Sequence, residues 1–360
     1  MGINWQPDHL GDGFALTELD LGADDEGPCV ATLISYTPPL PDLKPDLRST
    51  ARRVVRRVTG GNEPAVPVQA VLYVHGWSDY FFQRELARFF TDRGIAFYAL
   101  DLRKYGRSLR DWQTPGYVGD LSEYDDDITA ALDTLSADVV AKTGAVPTGI
   151  TLMAHSTGAL IASLWANRFP GRVTSLILNS PWLDVQGSSI VRSTTQGLLE
   201  PITRFRPKAR LKLPEFGFYW RSISNQADGE WELDGRWRPQ FGFPIRAGWL
   251  TAVLSGHTQV RKGLDIDAPV LVLASSKSTI SPVWNEAMLA SDSVLDVTVM
   301  TQRALQLGRH VTVCRFDGAL HDTLLSPAPV RERVYAELER WVQCYTRPMV
   351  DAEAGPAEGQ

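Results

Sequence analysis

The spacing of apolar and polar residues alternates along the chain between strand-like and helix-like segments. Short apolar runs typical of buried strands occupy residues 68–74, 96–102, 149–153, 173–179, 269–274 and 310–316. Segments with apolar residues at helical spacing lie between them, at 81–93, 121–142, 157–169 and 299–307. Strands that alternate with helices predict the α/β class, with a mostly parallel sheet and helices on both faces. In such sheets the functional site lies at the carboxyl ends of the strands.

The segments outside this alternation predict the domain organisation. Residues 14–21 and 29–36 predict an antiparallel pair of strands, and residues 47–58, with five arginines, predict a short basic helix or exposed arm. We therefore expect N-terminal strands and a basic arm at 1–65, a first part of the α/β core at 66–185, a cap or lid insertion at 186–266, a second part of the core at 267–347, and a disordered tail at 348–360. The insertion is rich in aromatic residues, some of which could line an apolar pocket.

Composition and charge narrow the classes of partner. The chain has 360 residues, of which 44% are hydrophobic and 22% charged, a balance typical of globular proteins. A net charge of -6 argues against nucleic acid or an anionic membrane as the main partner. The 3 cysteines are far apart, which gives no metal-site spacing and favours a reducing compartment. Without a secretory signal or an apolar run long enough to span a bilayer, we expect a cytoplasmic protein with no stable membrane insertion.

Residues 150–159, ITLMAHSTGA, predict a nucleophilic serine. An apolar strand leads into a sharp turn with Ser156 at its apex, and a helical pattern follows at once. Such a turn lifts the hydroxyl above the sheet, and the helix N-terminus faces the place where negative charge develops. Ala154 and Gly158 flank the serine as small residues, which the close approach of strand and helix requires. Ala154 stands where the G-x-S-x-G pattern usually has glycine.

A serine hydroxyl is a weak nucleophile and needs a base, an orienting acid and an oxyanion site. Of the 6 histidines, His321 follows the last predicted strand at the carboxyl edge of the sheet, and it fits the chain order serine, acid, histidine. His75 and Gly76 follow the first parallel strand, where a turn would direct the amide of Trp77 toward the serine. We expect the amide of Thr157 to be the second oxyanion donor.

The orienting acid has three candidates, because the loop directly after strand 269–274 contains no acidic residue. Asp292 precedes the last predicted helix, in a loop with small polar neighbours. Asp296 is four residues further on and could instead cap that helix. Asp184 follows the strand that ends at residue 179, from which an acid could still reach the histidine. Asp322, beside His321 in sequence, would point elsewhere and cap or pair locally.

With these motifs the chain resembles the α/β-hydrolase superfamily, especially its monoacylglycerol lipase and lysophospholipase group, which includes sequences labelled serine aminopeptidases. The resemblance spans about residues 65–345 and is carried by His75-Gly76, Asp101–Ser108, Ala154–Gly158, Ser291-Asp292 and His321-Asp322. Within residues 101–108, DLRKYGRS, Lys104 replaces a usual glycine. The resemblance implies an α/β-hydrolase fold with a cap, favours Asp292 as the acid and makes residues 275–290 an insertion. It also implies hydrolysis of carboxylic esters of apolar acyl chains, with no metal or organic cofactor.

Other activities on the same fold remain open at this point. An aminopeptidase would need acidic side chains for a substrate ammonium group, and Asp228, Glu230, Glu232 and Asp234 form such a cluster in the predicted cap. An acyltransferase would use another alcohol in place of water. A binding protein of this fold would hold a ligand without turnover, usually after losing the base or the acid. Haloalkane chemistry is disfavoured, because it uses Asp at the position of Ser156.

Overall fold

One nine-stranded sheet runs through the part of the chain that the computed structural model describes, which is residues 2–39, 68–185 and 201–345. Its strands are β1 (Gln6–Pro7), β2 (Phe14–Asp24), β3 (Gly27–Tyr36), β4 (Gln69–Val74), β5 (Ala96–Asp101), β6 (Gly149–His155), β7 (Ser175–Asn179), β8 (Val270–Ser275) and β9 (Val311–Phe316). Their order across the sheet is β1-β2-β3-β5-β4-β6-β7-β8-β9. The first three strands pair antiparallel, and β3 pairs antiparallel with β5. All pairs from β5 to β9 are parallel, so the predicted α/β class is confirmed.

The helices are α1 (Arg84–Thr91), α2 (Tyr124–Thr143), α3 (Ser156–Arg168), α4 (Phe218–Ile223), α5 (Ala247–Lys262), α6 (Val297–Ala304) and α7 (Ala328–Tyr345). Short 3-10 helices occupy Gly106–Ser108, Leu121–Glu123, Glu286–Ala290 and Thr323–Leu325. Helix α1 begins three residues later than predicted, because the amide of Phe81 donates to the Asp101 carboxylate and holds the preceding residues in a loop. Helix α6 begins earlier than predicted, where the Asp296 carboxylate accepts hydrogen bonds from the amides of Thr298 and Val299. Sequence spacing therefore found both helices but not their first residues.

The helices cover both faces of the sheet, as the alternation of strands and helices predicts. On β4, Ala70, Leu72 and Val74 pack into the core that α2, α3 and α5 share. Val71 and Tyr73 of the same strand pack into the core beneath α1 and α7. This alternation is the ordinary geometry of a strand buried on two faces. The loops at the carboxyl ends of β4, β6, β8 and β9 meet at one edge and form the site described below.

Some sequence-based expectations fall outside the described residues. These are the basic segment 47–58, the tail 348–360 and the first fifteen residues of the predicted cap, 186–200. The described part of that cap, 201–266, includes α4 and α5. Trp249, Val253 and Leu254 of α5 lie in the same core as helix α3, so this helix is built into the body of the fold. Within 2–39, 68–185 and 201–345, no helix is both long and apolar enough to cross a membrane.

Candidate active site

The turn at Ser156 has the strained geometry that its sequence predicts. Ser156 is the first residue of α3 and has φ +51°, in the left-handed region that side chains rarely adopt. The first turn of α3 comes so close to the loop after β4 that a Cβ built on Gly158 would lie 2.1 Å from the carbonyl oxygen of His75. Glycine is therefore required on the helix side of the turn. On the strand side, the usual glycine is replaced by Ala154, which is completely buried in the core.

A chain of hydrogen bonds links Ser156, His321 and Asp292. The Nε2 atom of His321 lies 3.0 Å from the Ser156 Oγ atom, and its Nδ1 atom lies 2.9 Å from Oδ2 of Asp292. A carboxylate only accepts, so Nδ1 must carry the proton and Nε2 presents its lone pair to the serine hydroxyl. All three side chains are buried. The structure thus brings together the serine, the histidine and the first of the three candidate acids.

The other acidic candidates lie elsewhere. Asp296 caps helix α6, the alternative role that its sequence position allowed. The carboxylate of Asp184 accepts a hydrogen bond of 2.8 Å from Arg303. Asp322 turns away from the imidazole, and its Oδ1 accepts from the side-chain amide of Asn179 and the backbone amide of Leu324. None of the three takes the place of Asp292 beside His321.

The segment between β8 and Asp292 explains how an acid so far along the chain reaches its place. The amide of Asp292 donates to the carbonyl of Lys277 at 2.9 Å, and the amide of Thr279 donates to the carbonyl of Asp292 at 2.8 Å. The residues between them form a loop whose two ends are joined by these hydrogen bonds. Asp292 therefore lies at the position that an acid directly after β8 would occupy. Its Oδ1 accepts from the amides of Val294 and Leu295, both at 2.8 Å, which fixes the plane of the carboxylate.

The expected oxyanion donors come from the first turn of α3 and from the loop after β4. The amide of Thr157 is in the first turn of α3 and has no partner within the helix. The amide of Trp77 follows Gly76, and its direction is set by His75. The Nε2 atom of His75 accepts from the amide of Leu102 at 3.1 Å, so Nδ1 carries the proton and donates to the Gly76 carbonyl at 2.7 Å. Because that carbonyl and the Trp77 N–H share one peptide plane, His75 fixes the direction of the donor.

Comparison with known proteins agrees with this geometry. A family model described as "Serine aminopeptidase, S33" matches residues 65–327. The chain belongs to this family of α/β-hydrolases. No curated protein is similar enough in sequence to count as a match.

Solved structures with the same fold include monoacylglycerol lipases and an esterase. The monoacylglycerol lipase of Paleococcus ferrophilus has a TM-score of 0.53 and 18% identity, over 77% of this chain and 95% of that one. A soluble variant of monoglyceride lipase from Saccharomyces cerevisiae, in complex with a substrate analog, has a TM-score of 0.55 and 13% identity over 96% of both chains. A thermostable carboxyl esterase from Bacillus coagulans, in complex with glycerol, has a TM-score of 0.56 and 16% identity, over 91% of this chain and 98% of that one. Together, the family and the hydrogen-bonded site make the chain a serine hydrolase of the α/β-hydrolase fold.

The segment 101–108 of this hydrolase supports the loop after β4 without facing the serine. Asp101 accepts from the amide of Phe81 and forms an ion pair of 2.7 Å with Arg107. Lys104 has φ +63°, which explains why the motif usually has glycine there. Its buried ammonium forms ion pairs with Asp24 at 2.5 Å and Glu26 at 2.8 Å. The lysine therefore ties the β2–β3 turn to this segment.

A cavity of about 420 Å³ opens above Ser156 in the hydrolase. Its apolar wall is formed by Trp77, Trp182, Val185, Ile245, Trp249 and Leu295. The rings of Trp77 and Trp249 pack against each other at an interplanar angle of 37°, with centroids 3.7 Å apart. Of the aromatic residues in the predicted cap, Trp220 and Trp249 line the cavity, whereas Trp77 and Trp182 come from outside it.

Polar groups also line the cavity, a feature that sequence reasoning missed. Arg238 is buried and donates from Nη1 to Oδ1 of Asp79 at 2.6 Å. The other oxygen of Asp79 is buried and has no hydrogen-bond partner among the described residues. Burial alone would lower the pKa of Arg238, but the Asp79 carboxylate raises it, so the guanidinium stays charged. An Arg within a Trp-rich segment gives no sequence signal that it faces a site.

Tyr219 of helix α4 also contacts His321. Its ring meets the imidazole of His321 edge-on, with centroids 5.2 Å apart, and its hydroxyl accepts from the amide of Asp322 at 3.2 Å. The acidic cluster 228–234 does not line the cavity. Within it, Asp228 pairs with Arg221 and Glu230 pairs with Arg331. In the described parts of the chain, no three His, Cys, Asp or Glu side chains come together as a metal site.

Proposed function

We propose that this protein hydrolyses carboxylic esters of apolar acyl chains, such as a monoacylglycerol or a lysophospholipid, with Ser156 as nucleophile, His321 as base and Asp292 as orienting acid. The observation that carries the proposal is the hydrogen-bonded chain from Asp292 through His321 to Ser156, opening into a cavity with an apolar wall. All the parts that a non-catalytic relative would lose are present in hydrogen-bonding geometry, which favours turnover over simple binding.

The proposed reaction is acyl transfer through a covalent enzyme. His321 takes the proton of the Ser156 hydroxyl as Oγ attacks the ester carbonyl, and Asp292 stabilises the imidazolium that forms. The amides of Trp77 and Thr157 stabilise the tetrahedral oxyanion, each contributing roughly 3 kcal/mol. The imidazolium then donates its proton to the leaving alkoxide. Water attacks the acyl-enzyme with His321 again as base, which releases the carboxylic acid and restores Ser156.

The cavity is lined by both apolar and polar residues, which suits an ester with an apolar acyl chain and a polar alcohol. The wall of Trp77, Trp182 and Trp249 suits an acyl chain, since contact with indole rings removes apolar surface from water. The guanidinium of Arg238, which lines the cavity, can donate to the hydroxyl groups of a polar alcohol. An aminopeptidase is less well supported, because the acidic cluster of the cap lies outside the cavity.

A substrate series tests this function. Hydrolysis of p-nitrophenyl esters from C2 to C16 is compared with hydrolysis of 1-monoacylglycerols, a lysophosphatidylcholine and aminoacyl p-nitroanilides, with Ser156→Ala as the matched control. We expect kcat/KM to rise from acetate to a medium chain and to be lost in the control. Faster cleavage of the p-nitroanilides than of every ester would contradict the proposal, as would equal hydrolysis by the control.

A further inference from the structure

A second carboxylate is buried behind the catalytic histidine, and the proposed reaction does not use it. Asp322 follows His321 directly and is completely buried. Its Oδ1 accepts from Asn179 Nδ2 at 2.5 Å and from the amide of Leu324 at 3.0 Å, and its Oδ2 accepts from Gln83 Nε2 at 3.5 Å. Both ring nitrogens of His321 already have partners, Nδ1 with Asp292 and Nε2 with Ser156, so neither pairs with Asp322. A role for Asp322 must therefore act through its neighbours.

The hydrogen bonds around Asp322 suit an ionised carboxylate. Three N–H donors point at it, and among the described residues no Lys, Arg or His nitrogen lies within 4.0 Å. Burying a charge without a paired cation is expensive, so amide donors of this kind are the remaining way to hold it. Capping the short helix Thr323–Leu325 does not by itself require a buried carboxylate, because a solvent-exposed Asp can accept from the Leu324 amide equally well.

Asn179 connects this carboxylate to the nucleophile turn. Its side-chain oxygen accepts from the backbone amide and the hydroxyl of Thr323, at 3.1 and 2.8 Å. Its backbone carbonyl lies 3.1 Å from Nδ1 of His155, the residue before the nucleophile. One residue at the end of β7 therefore contacts the histidine loop on one side and the serine turn on the other.

We propose that Asp322 is a positioning residue for His321: with Asn179 it fixes the loop that carries the imidazole, and its negative charge favours the imidazolium that forms as Ser156 attacks. This inference rests on the proposed function, since it assigns a role within the same reaction. Rigid placement matters because a displacement of about 1 Å in a reacting group can lower the rate roughly 100-fold. A nearby negative charge favours the protonated state of a neighbouring imidazole.

Other charged and titratable groups surround Asp322 and His321. They are Tyr73 on β4, Asp79 after β4, His155 on β6, Tyr219 on α4, Arg238 in the cap, Asp292 after β8 and Tyr335 on α7. Burial lowers the pKa of His155, so this neighbour stays neutral. Burial holds Tyr73, Tyr219 and Tyr335 in the neutral phenol form, by raising their pKa values. Asp79 and Arg238 largely offset each other as a pair. Asp322 is therefore a second nearby negative charge besides Asp292: it forms no ion pair among the described residues, and Arg238 attracts it only at longer range.

The test removes the charge while keeping the shape. Asp322→Asn can still accept from Asn179 and Leu324, so we expect a folded protein with a near-normal thermal midpoint. We expect kcat for a p-nitrophenyl ester to fall roughly 10- to 100-fold with little change in KM, since the loss is in the placement of the base. The acid-side midpoint of the pH profile of kcat/KM should move to lower pH by about half a unit or more, because a negative charge has been removed.

A second variant, Asn179→Ala, removes the donor to Asp322 and the acceptor for Thr323 but leaves the negative charge of Asp322 in place. We expect its rate to fall roughly tenfold with the pH midpoint of the wild-type, because placement is lost and the charge is kept. The inference is overturned if Asp322→Asn keeps its rate within twofold, or if it loses rate with an unmoved midpoint. If Asp322→Asn does not fold, Asn179→Ala decides, and a rate within twofold of the wild-type overturns the inference. If the wild-type protein shows neither turnover nor fluorophosphonate labelling, the proposed function itself is refuted.

Discussion

Replacing Asp292 by Asn should reverse the tautomer of the catalytic histidine. Oδ1 of Asp292 accepts from the amides of Val294 and Leu295, both at 2.8 Å, and Oδ2 faces Nδ1 of His321 at 2.9 Å. An Asn at this position must keep its oxygen toward the two backbone donors, which turns its NH2 group toward the imidazole. Nδ1 then has to accept, so the ring proton moves to Nε2 and faces the serine hydroxyl. A histidine in this form cannot take the proton of Ser156.

The size of the effect follows from that geometry. Only the rare tautomer with a proton on Nδ1 would react, and no carboxylate would stabilise the imidazolium. An Asn in place of a triad Asp with intact geometry lowers kcat about 10⁴-fold in a serine protease. That ratio corresponds to about 5.4 kcal/mol of transition-state stabilisation. We expect the same order here, with KM changed little because neither oxygen of Asp292 faces the cavity.

Steady-state and burst kinetics on a p-nitrophenyl ester measure the change, and active-site titration counts competent protein. Asp296→Asn is the matched control, because it makes the same substitution four residues away at a helix cap. Asn caps helices about as well as Asp, so this control should keep its rate within about twofold. If Asp292→Asn stays within tenfold of the wild-type rate, or if Asp296→Asn loses more, Asp292 is not the orienting acid.

Two further substitutions test the supports of the site. Gly158→Ala should lower the free energy of unfolding by about 3 kcal/mol in urea titrations, because its Cβ would lie 2.1 Å from the His75 carbonyl oxygen. The control Gly235→Ala, with open space around the added Cβ, should be near neutral. Equal unfolding midpoints for the two variants would refute this. Burial alone would raise the pKa of Glu26, but hydrogen bonds from Lys104 and Thr114 lower it to about 2, from an ordinary value of 4.5. A lowered folded-state pKa stabilises above the unfolded value, so wild-type should exceed Glu26→Gln by about 2 kcal/mol at pH 7 and lose that advantage between pH 4.5 and 2. A difference that stayed constant down to pH 2.5 would contradict this assignment.

The sequence was sufficient for the parts of the site that follow strands directly. Ser156, His75 and His321 each come within a few residues of a strand end, so strand periodicity alone placed them at one edge. Asp292 could not be chosen from periodicity, because sixteen residues separate it from the end of β8. Its place depends on the backbone bonds with Lys277 and Thr279, which leave no pattern in the sequence.

Contacts between distant segments could not be predicted either, because they also leave no pattern in the sequence. Arg238 and Tyr219 reach the site from the cap, and their residue types are equally compatible with a surface or a core. Lys104 looked like a departure from a motif, whereas its buried ion pairs with Asp24 and Glu26 make it part of the fold. Helix α5 was assigned to an insertion because the strand rhythm is interrupted there, yet Trp249 and Val253 complete the core around α3. Apolar periodicity identifies a helix but does not identify the surface against which it packs.

Covalent labelling tests the central claim most directly. The purified protein is treated with a fluorophosphonate, digested and analysed by mass spectrometry, with Ser156→Ala treated in parallel. We expect one adduct per chain, on Ser156, with loss of esterase activity in proportion to labelling and no adduct on the variant. A folded protein that gives no adduct at Ser156, or that is labelled equally well after Ser156→Ala, would contradict the account.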